Sequence, residues 1–359
     1  MRYIFHTTFK CNLQCKYCHI IKSDVTMPIE VANDIINFIF NHTPIKEKIE
    51  ILFTGGEPLI EFELLKQVTS LIKKLSSFQD RDVKLSLITN GTIFSEEIKK
   101  FLLDNNFSLC ISCDGPAFIH DVMRHFQYNR GSSYLVEQTL KEAVNIFSNI
   151  SVQATYHPAT FRNLHYVIEY LISIGVKNIY LNPDFTAHWT KKDADLLPVI
   201  YHKIANWYLN YAQKNESIYI NLINKKLEII QQGGYMTSDK CSPGSSGMAF
   251  SPSGDIYPCD RFITDSSNNE NSIGNIYEGL FQERINQKET TGFDFQEKCI
   301  FCDFKNLCMN WCCCSNYLTS GFYDKAGPFL CASEKAAINT AINIYKTLRQ
   351  GSTRASFFI

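Results

Sequence analysis

The chemistry this chain could do is written in its fourteen cysteines, and they are clustered. Three lie near the start, Cys11, Cys15 and Cys18. Nine follow residue 240, and only Cys110 and Cys113 fall between. Cys11-Asn-Leu-Gln-Cys15-Lys-Tyr-Cys18 is a CxxxCxxC run. A closed structural zinc site takes four protein ligands, and a [4Fe–4S] cluster usually takes four cysteines. Three thiolates leave one iron open to a substrate or cofactor. The second group has a stricter spacing: Cys241, twelve residues, Gly254, four residues, Cys259, then Cys299-x2-Cys302-x5-Cys308-x3-Cys312 and, eighteen residues on, Cys331. A zinc-ribbon-like pair of sites has overlapping spacings. The stretch KNLCMNWCCCSNY (305–317) holds two thiols beyond that series, Cys313 and Cys314. Cys110 and Cys113 read as core residues, since free cysteine is commonly buried.

The rest of the composition narrows the setting. The 359 residues are 45% hydrophobic, enough for a large core, with 35 basic and 36 acidic residues giving a net charge of −1. No run of either sign stands out, which argues against nucleic acid or an anionic membrane as partner. The start, MRYIFHTTFKCNLQC, lacks the apolar region of a signal peptide, and no apolar stretch is long enough for a membrane span. A cytoplasmic chain is expected, and in a reducing compartment these thiols are not structural disulfides.

Alternating patterns position the first cysteines. Strand candidates at 2–9, 48–54, 84–90, 108–114, 150–158 and 178–185 alternate with helical periods at 29–40, 61–75, 95–106, 133–147 and 163–175. Ser95 with Glu96 and Glu97 behind it reads as an N-cap, and Gly175 as a helix-ending glycine. Repeated βα units imply parallel strands with helices outside. Six units fall short of an eight-fold barrel. The expected fold is α/β: a partial (β/α)6 TIM-like barrel over 1–188, a helical bridge over 189–237, a loop-rich cysteine domain over 238–335, and a C-terminal helix and tail over 336–359. Barrel chemistry sits at the C-terminal ends of strands. Cys11, Gly55, Glu57, Asn90 and Asp114 all fall there.

With CxxxCxxC carrying an aromatic, Tyr17, before its third cysteine, and Gly55-Gly56-Glu57-Pro58 following the next strand, the sequence resembles the radical S-adenosylmethionine (SAM) enzymes. The resemblance implies that Cys11, Cys15 and Cys18 ligate three irons of a [4Fe–4S] cluster. The fourth iron would take the amino and carboxylate groups of S-adenosyl-L-methionine. One electron then gives methionine and a 5′-deoxyadenosyl radical that abstracts a hydrogen atom. Glycines let a backbone approach a ligand closely and a carboxylate can accept from an ammonium, so Gly55, Gly56 and Glu57 are assigned to SAM, Glu57 to its amino group, and Tyr17 is expected at the same cofactor. Asn90 in ITNGT and Ser112 in ISCDGP match positions holding its ribose and methionine ends; strand-end turn residues are the plainer reading. His120-Asp121-x-x-Arg124 resembles a segment of peptide-modifying members, with a helix-start ion pair as the alternative.

The second series resembles the SPASM domain of the same family. The resemblance implies two auxiliary [4Fe–4S] clusters, three in all, the inner held by Cys241, Cys259 and Cys312 and the outer by Cys299, Cys302, Cys308 and Cys331. Two clusters would let a loop-rich domain fold, because metal-binding free energy becomes folding free energy. The inner set is one ligand short. Either Cys313 or Cys314 fills it, or the iron stays open to a substrate thiolate, or both thiols are small hydrophobes in a turn.

SPASM-type members mostly modify peptides or proteins. The leading expectation is a maturase of a ribosomally made peptide, forming a thioether or carbon–carbon bond. A separate leader-peptide-binding protein and a flavodoxin or ferredoxin as electron donor are the expected partners; the chain begins ten residues before Cys11, without the leader-binding domain many peptide maturases carry, and in this it resembles sulfatase maturases. The alternative is an anaerobic sulfatase maturase making formylglycine from Cys or Ser. Asp260, directly after Tyr257-Pro258-Cys259, stands where those enzymes carry a base, and an acid there could take the proton lost on oxidation. Ile20, Thr54 and the missing eighth cysteine depart from that pattern. A non-catalytic iron–sulfur or zinc-binding interaction protein is the remaining alternative; in it Glu57 has no ligand.

Overall fold

The structure is a computed structural model and describes residues 1–75, 81–214, 216–240, 242–244, 246–265, 269–288 and 297–350. Cys241 and the tail 351–359 lie outside the described residues. The chain forms two compact units: Met1–Gln153 with Ile174–Val176 and Cys241–Thr290, and Ala154–Ser173 with Lys177–Lys240 and Thr291–Ile359. The 238–335 stretch is therefore shared between them.

In the first unit β1 (Arg2–His6), β2 (Ile49–Thr54), β3 (Val83–Thr89), β4 (Ser108–Ser112) and the start of β5 (Ser151–Tyr156) pair in parallel in chain order. The crossovers are α1 (Ile29–His42), α2 (Phe62–Lys74), α3 (Glu96–Asp104), α4 (Ala117–Met123) and α5 (Ser133–Ile146). Alternation decides the faces. Tyr3 and Phe5 are wholly buried, with ring contacts to Phe53 and Phe250, and Phe38 of α1 packs edge-on against Phe250. Arg2, Ile4 and His6 therefore share the opposite, inner face. Helix α1 buries Ala32, Ile35, Ile36 and Ile39, the i, i+3, i+4, i+7 stripe of a sheet-covering helix. Each larger apolar side chain so buried contributes roughly 1.5–3 kcal/mol. Ser95 caps α3, its Oγ accepting from the Ile98 N–H at 3.3 Å.

The far side of β1 is also covered. Strand Gly247–Phe250 pairs with it in parallel, Arg2 opposite Gly247 and Phe5 opposite Phe250. Gly247 is required by that approach, since a Cβ there would lie 2.8 Å from the Arg2 carbonyl oxygen. Strands Asp255–Tyr257, Gly274–Asn275 and Gly279–Leu280 continue antiparallel to an open edge, as the expected partial barrel requires.

The second unit is mainly helical. Helix Lys191–Gln213 opens with a capping box between Thr190 and Asp193. It and helix Asn221–Gln231 pack against Pro328–Gln350. That last helix starts earlier than the expected 336–359 segment, with Pro328 at its first turn, where a missing N–H costs nothing. Tyr201 bridges Tyr156 (2.7 Å) and Ser333 (2.9 Å), and Trp189 stacks on Phe329 at 3.9 Å. Among the described residues no helix is long and apolar enough to cross a membrane.

Candidate active site

The loop carrying Cys11, Cys15 and Cys18 leaves the C-terminal end of β1 and is anchored by Phe9 and Leu13, both wholly buried. Cys11 and Cys15 are half-buried and Cys18 is exposed. Burial pushes the Cys11 thiol up to about 11 and raises that of Cys15. Such thiols surrender their protons to a bound cation rather than to water.

The Gly55-Gly56-Glu57-Pro58 loop lies on the backbone of the cysteine loop. Gly56 N donates to Thr8 O and Glu57 N to Lys10 O, both at 2.8 Å. A Cβ on Gly56 would meet Lys10 O at 2.1 Å, and one on Gly55, which has φ +129°, would meet Thr8 O at 2.6 Å. The glycines thus admit the neighbouring loop. Glu57 is wholly buried. Its Oε1 accepts from Leu59 N (3.1 Å) and Thr89 Oγ1 (2.8 Å), and its Oε2 from Asn90 N (2.7 Å). Desolvation pushes this carboxyl up to about 7 against the pull of those three donors. Three donors on a carboxylate with about four acceptor sites leave about one for a ligand. Asn90 reaches across to the cysteine loop: its Nδ2 donates to Asn12 Oδ1 at 2.8 Å and lies 3.9 Å from Cys11 Sγ. Ser112 ends β4, buried on the same face as Cys110. Cys113 is core as expected, whereas Cys110 is half-buried on the inner face.

The segment 114–133, whose role the sequence leaves open, braces the cysteine loop. Gln14 N donates to His125 O (2.6 Å) and Lys16 N to Met123 O (2.9 Å), which sets Cys15 opposite Arg124. Arg124 Nε lies 3.1 Å from Asp114 Oδ1. The Tyr17 hydroxyl donates to Asp114 Oδ2, and the guanidinium sits 5.2 Å from the Tyr17 ring centroid. Asp114 N donates to His120 Nδ1, while Asp121 accepts from Ser132 N and Ser133 N at the start of α5. Tyr17, expected at the cofactor, is thus tied into a buried ion-pair network.

Cys259 and Asp260 follow strand Asp255–Tyr257, with Cys259 Sγ 3.3 Å from Asp260 Oδ1. Burial raises the Asp260 carboxyl, but His6, Arg261 and His19 outweigh it and hold the carboxyl below its ordinary range. Ile21 N donates to Thr264 O at 2.7 Å, joining the strand-end loop beyond Cys18 to the loop beyond Asp260.

In the second unit Cys299, Cys302, Cys308 and Cys331 line one cavity with Lys298, Lys305 and Lys335, whose charges would offset thiolates. Burial and the charge of Glu334 raise the Cys308 thiol. A buried Lys226–Glu334 pair (2.6 Å) pins this segment: Lys226 donates to Leu307 O and Met309 N to Glu334. Cys312 precedes helix Cys313–Ser320, its Sγ 3.3 Å from Ser315 Oγ. Cys313 and Cys314 are buried at the helix start with sulfurs 3.7 Å apart. Among the described residues no three His, Cys, Asp or Glu side chains meet closely enough to hold a single metal ion.

Residues 5–171 match the Radical SAM superfamily. A cysteine-type anaerobic sulfatase-maturating enzyme of Clostridium novyi (strain NT) is 25% identical over 326 residues, covering 84% of each chain. The structure of native anSMEcpe with bound AdoMet and Cp18Cys peptide aligns with a TM-score of 0.81 at 21% identity, over 98% of this chain and 99% of that one. Streptococcus suis SuiB bound to precursor peptide SuiA aligns at 0.65 and 14% identity, over 92% and 75%. At those identities the two structures speak to the fold alone. The three thiols on one strand-end loop and the buried guanidinium opposite Cys15 suit a cluster that needs three cysteines. Residues 5–171 of this chain therefore form a radical SAM domain, with S-adenosylmethionine and a [4Fe–4S] cluster as the cofactors of that domain.

Proposed function

We propose that the enzyme is a maturase that oxidises a side chain of a peptide or protein substrate. The observation that carries this reading is the Asp260 carboxylate: it lies in the same compact unit as the CxxxCxxC loop, tied to it through Ile21 and Thr264. A radical source needs no acid beside it merely to remove hydrogen. A net two-electron oxidation must also release a proton, and an ionised carboxylate is a fitting acceptor.

Cys11, Cys15 and Cys18 would hold the cluster, and Asn90 and Glu57 keep the adjoining loops in register. Cluster and SAM, once bound, supply the one-electron chemistry that takes a hydrogen atom from the substrate. The chain's own part is to hold the substrate, exclude water and accept the proton at Asp260. Cys299, Cys302, Cys308 and Cys331 would hold an auxiliary [4Fe–4S] cluster, and a cluster of that kind would supply a sink for the second electron.

The first product reading is a thioether or carbon–carbon crosslink in a ribosomally made peptide. The second, favoured by Asp260 and by the end-to-end likeness to sulfatase-maturating enzymes, is formylglycine from Cys or Ser. Anaerobic incubation with Cys-containing peptides, read by mass spectrometry and sulfide assay, separates them. A crosslink loses two hydrogens and keeps its sulfur, whereas formylglycine formation from Cys releases sulfide. Consumption of SAM with no peptide changed in mass under any condition would contradict the maturase reading.

A further inference from the structure

His6 is a buried polar group that none of the described residues satisfies. It ends β1, is 1% exposed, and neither ring nitrogen has a hydrogen-bond partner among the described residues. Buried polar atoms almost always find partners, and an unmet one carries the full desolvation penalty. The face it occupies is fixed by its neighbours. Tyr3 and Phe5 turn toward the aromatic layer, so His6 turns inward, in register with Thr54 of β2. It lies within electrostatic range of Asp260 and His19. A histidine at this depth, unpartnered at the C-terminal end of a barrel strand and in electrostatic range of Asp260, is positioned for a ligand.

We infer that His6 contacts the substrate, its imidazole hydrogen-bonding the thiol or hydroxyl of the side chain that is modified next to Asp260. The inference rests on the maturase reading and adds to it the residue that recognises the reacting side chain. Burial pushes the imidazole down to about 4, so the ring is neutral at neutral pH and offers one donor and one acceptor. An apolar substrate side chain leaves both nitrogens unmet. An acidic one is repelled by Asp260. A thiol or hydroxyl accepts from the ring N–H at its heteroatom and directs its own hydrogen to a neighbouring acceptor, and it does so with either tautomer.

The test uses the reconstituted full chain under anaerobic conditions with SAM, a reductant and a pool of short synthetic peptides differing only in a central Cys, Ser or Ala. Modification is followed by mass spectrometry. The wild type should process the Cys or Ser peptides in preference to Ala. His6→Phe should lower kcat/KM for them by about tenfold or more, the loss of one good hydrogen bond made alike to substrate and transition state, mostly through KM. His6→Gln, which keeps a donor and an acceptor, should recover part of it. The change that SAM makes in the reduced-cluster electron paramagnetic resonance spectrum reports that each variant is folded and loaded. Wild-type kcat/KM and preference in His6→Phe would overturn the inference alone. A wild type that modifies Cys, Ser and Ala peptides equally would also overturn it. A wild type that modifies no peptide removes the maturase reading and the inference together.

Discussion

Arg124→Met removes one partner of a buried ion pair and should cost more than any surface charge in this chain. The Arg124 side chain is 9% exposed and that of Asp114 2%, with Nε and Oδ1 3.1 Å apart. Breaking such a pair from one side leaves an uncompensated buried charge, worth roughly 3–5 kcal/mol. At roughly 2–4 °C per kcal/mol for 150–250 residues, unfolding of the first unit should come roughly 6–20 °C earlier. Tyr17 still donates to Asp114, which places the expected value toward the lower end. Removing both charges with Arg124→Met and Asp114→Leu should recover part of the loss, since a buried pair replaced by apolar groups is often neutral. Far-UV circular dichroism melts of the two singles and the double, run anaerobically, give the coupling. Iron retained per chain shows whether the cysteine loop follows. Single variants that melt within a degree of the parent and keep their iron would refute the claim that this network braces the loop.

Two further outcomes follow from the site. Gly56→Ala places a Cβ 2.1 Å from Lys10 O, backbone that cannot swing away, so the two loops must part; iron bound by the radical SAM site and the SAM-induced spectral change should both fall. Glu57, pushed up to about 7 from 4.5, keeps a proton in the native state that the unfolded chain has lost. Its contribution is fully present below about pH 4.5 and lost as pH rises through about 7, a fall of about 3 kcal/mol. Glu57→Gln should flatten that part of the stability profile in chemical denaturation. A profile that falls as steeply in the variant would show that the slope comes from other groups.

The local rules made the parallel strands legible. β1 to β4 lie within their predicted spans or start one residue early, because half-buried strands alternate and sheet-covering helices repeat at 3.6 residues. Ser95 and Gly175 behave as their types suggest, the latter at φ +102°. Other features are not local. The brace needs α4, only seven residues long, and Asp114, Tyr17 and Arg124 are brought together by the fold alone. Strand Gly247–Phe250 reads as an ordinary short apolar run; its parallel pairing with β1 is a tertiary choice. Glu57 is legible as a site residue, yet its complete burial and its three backbone and side-chain donors are not. A lone histidine such as His6 carries no signal in sequence, because its meaning lies in the partners it lacks.

The central claim is that these cysteines hold clusters in two sets, and iron counting tests it most directly. Purified and reconstituted without oxygen, the chain should carry about twelve irons and twelve sulfides, from three four-iron clusters. Cys299→Ala and Cys331→Ala should each lower the count by about four, and Cys313→Ala and Cys314→Ala show whether either thiol completes the inner set. About four irons in the wild type, with zinc making up the remainder, would leave the radical SAM site standing and contradict the account of the second cysteine set.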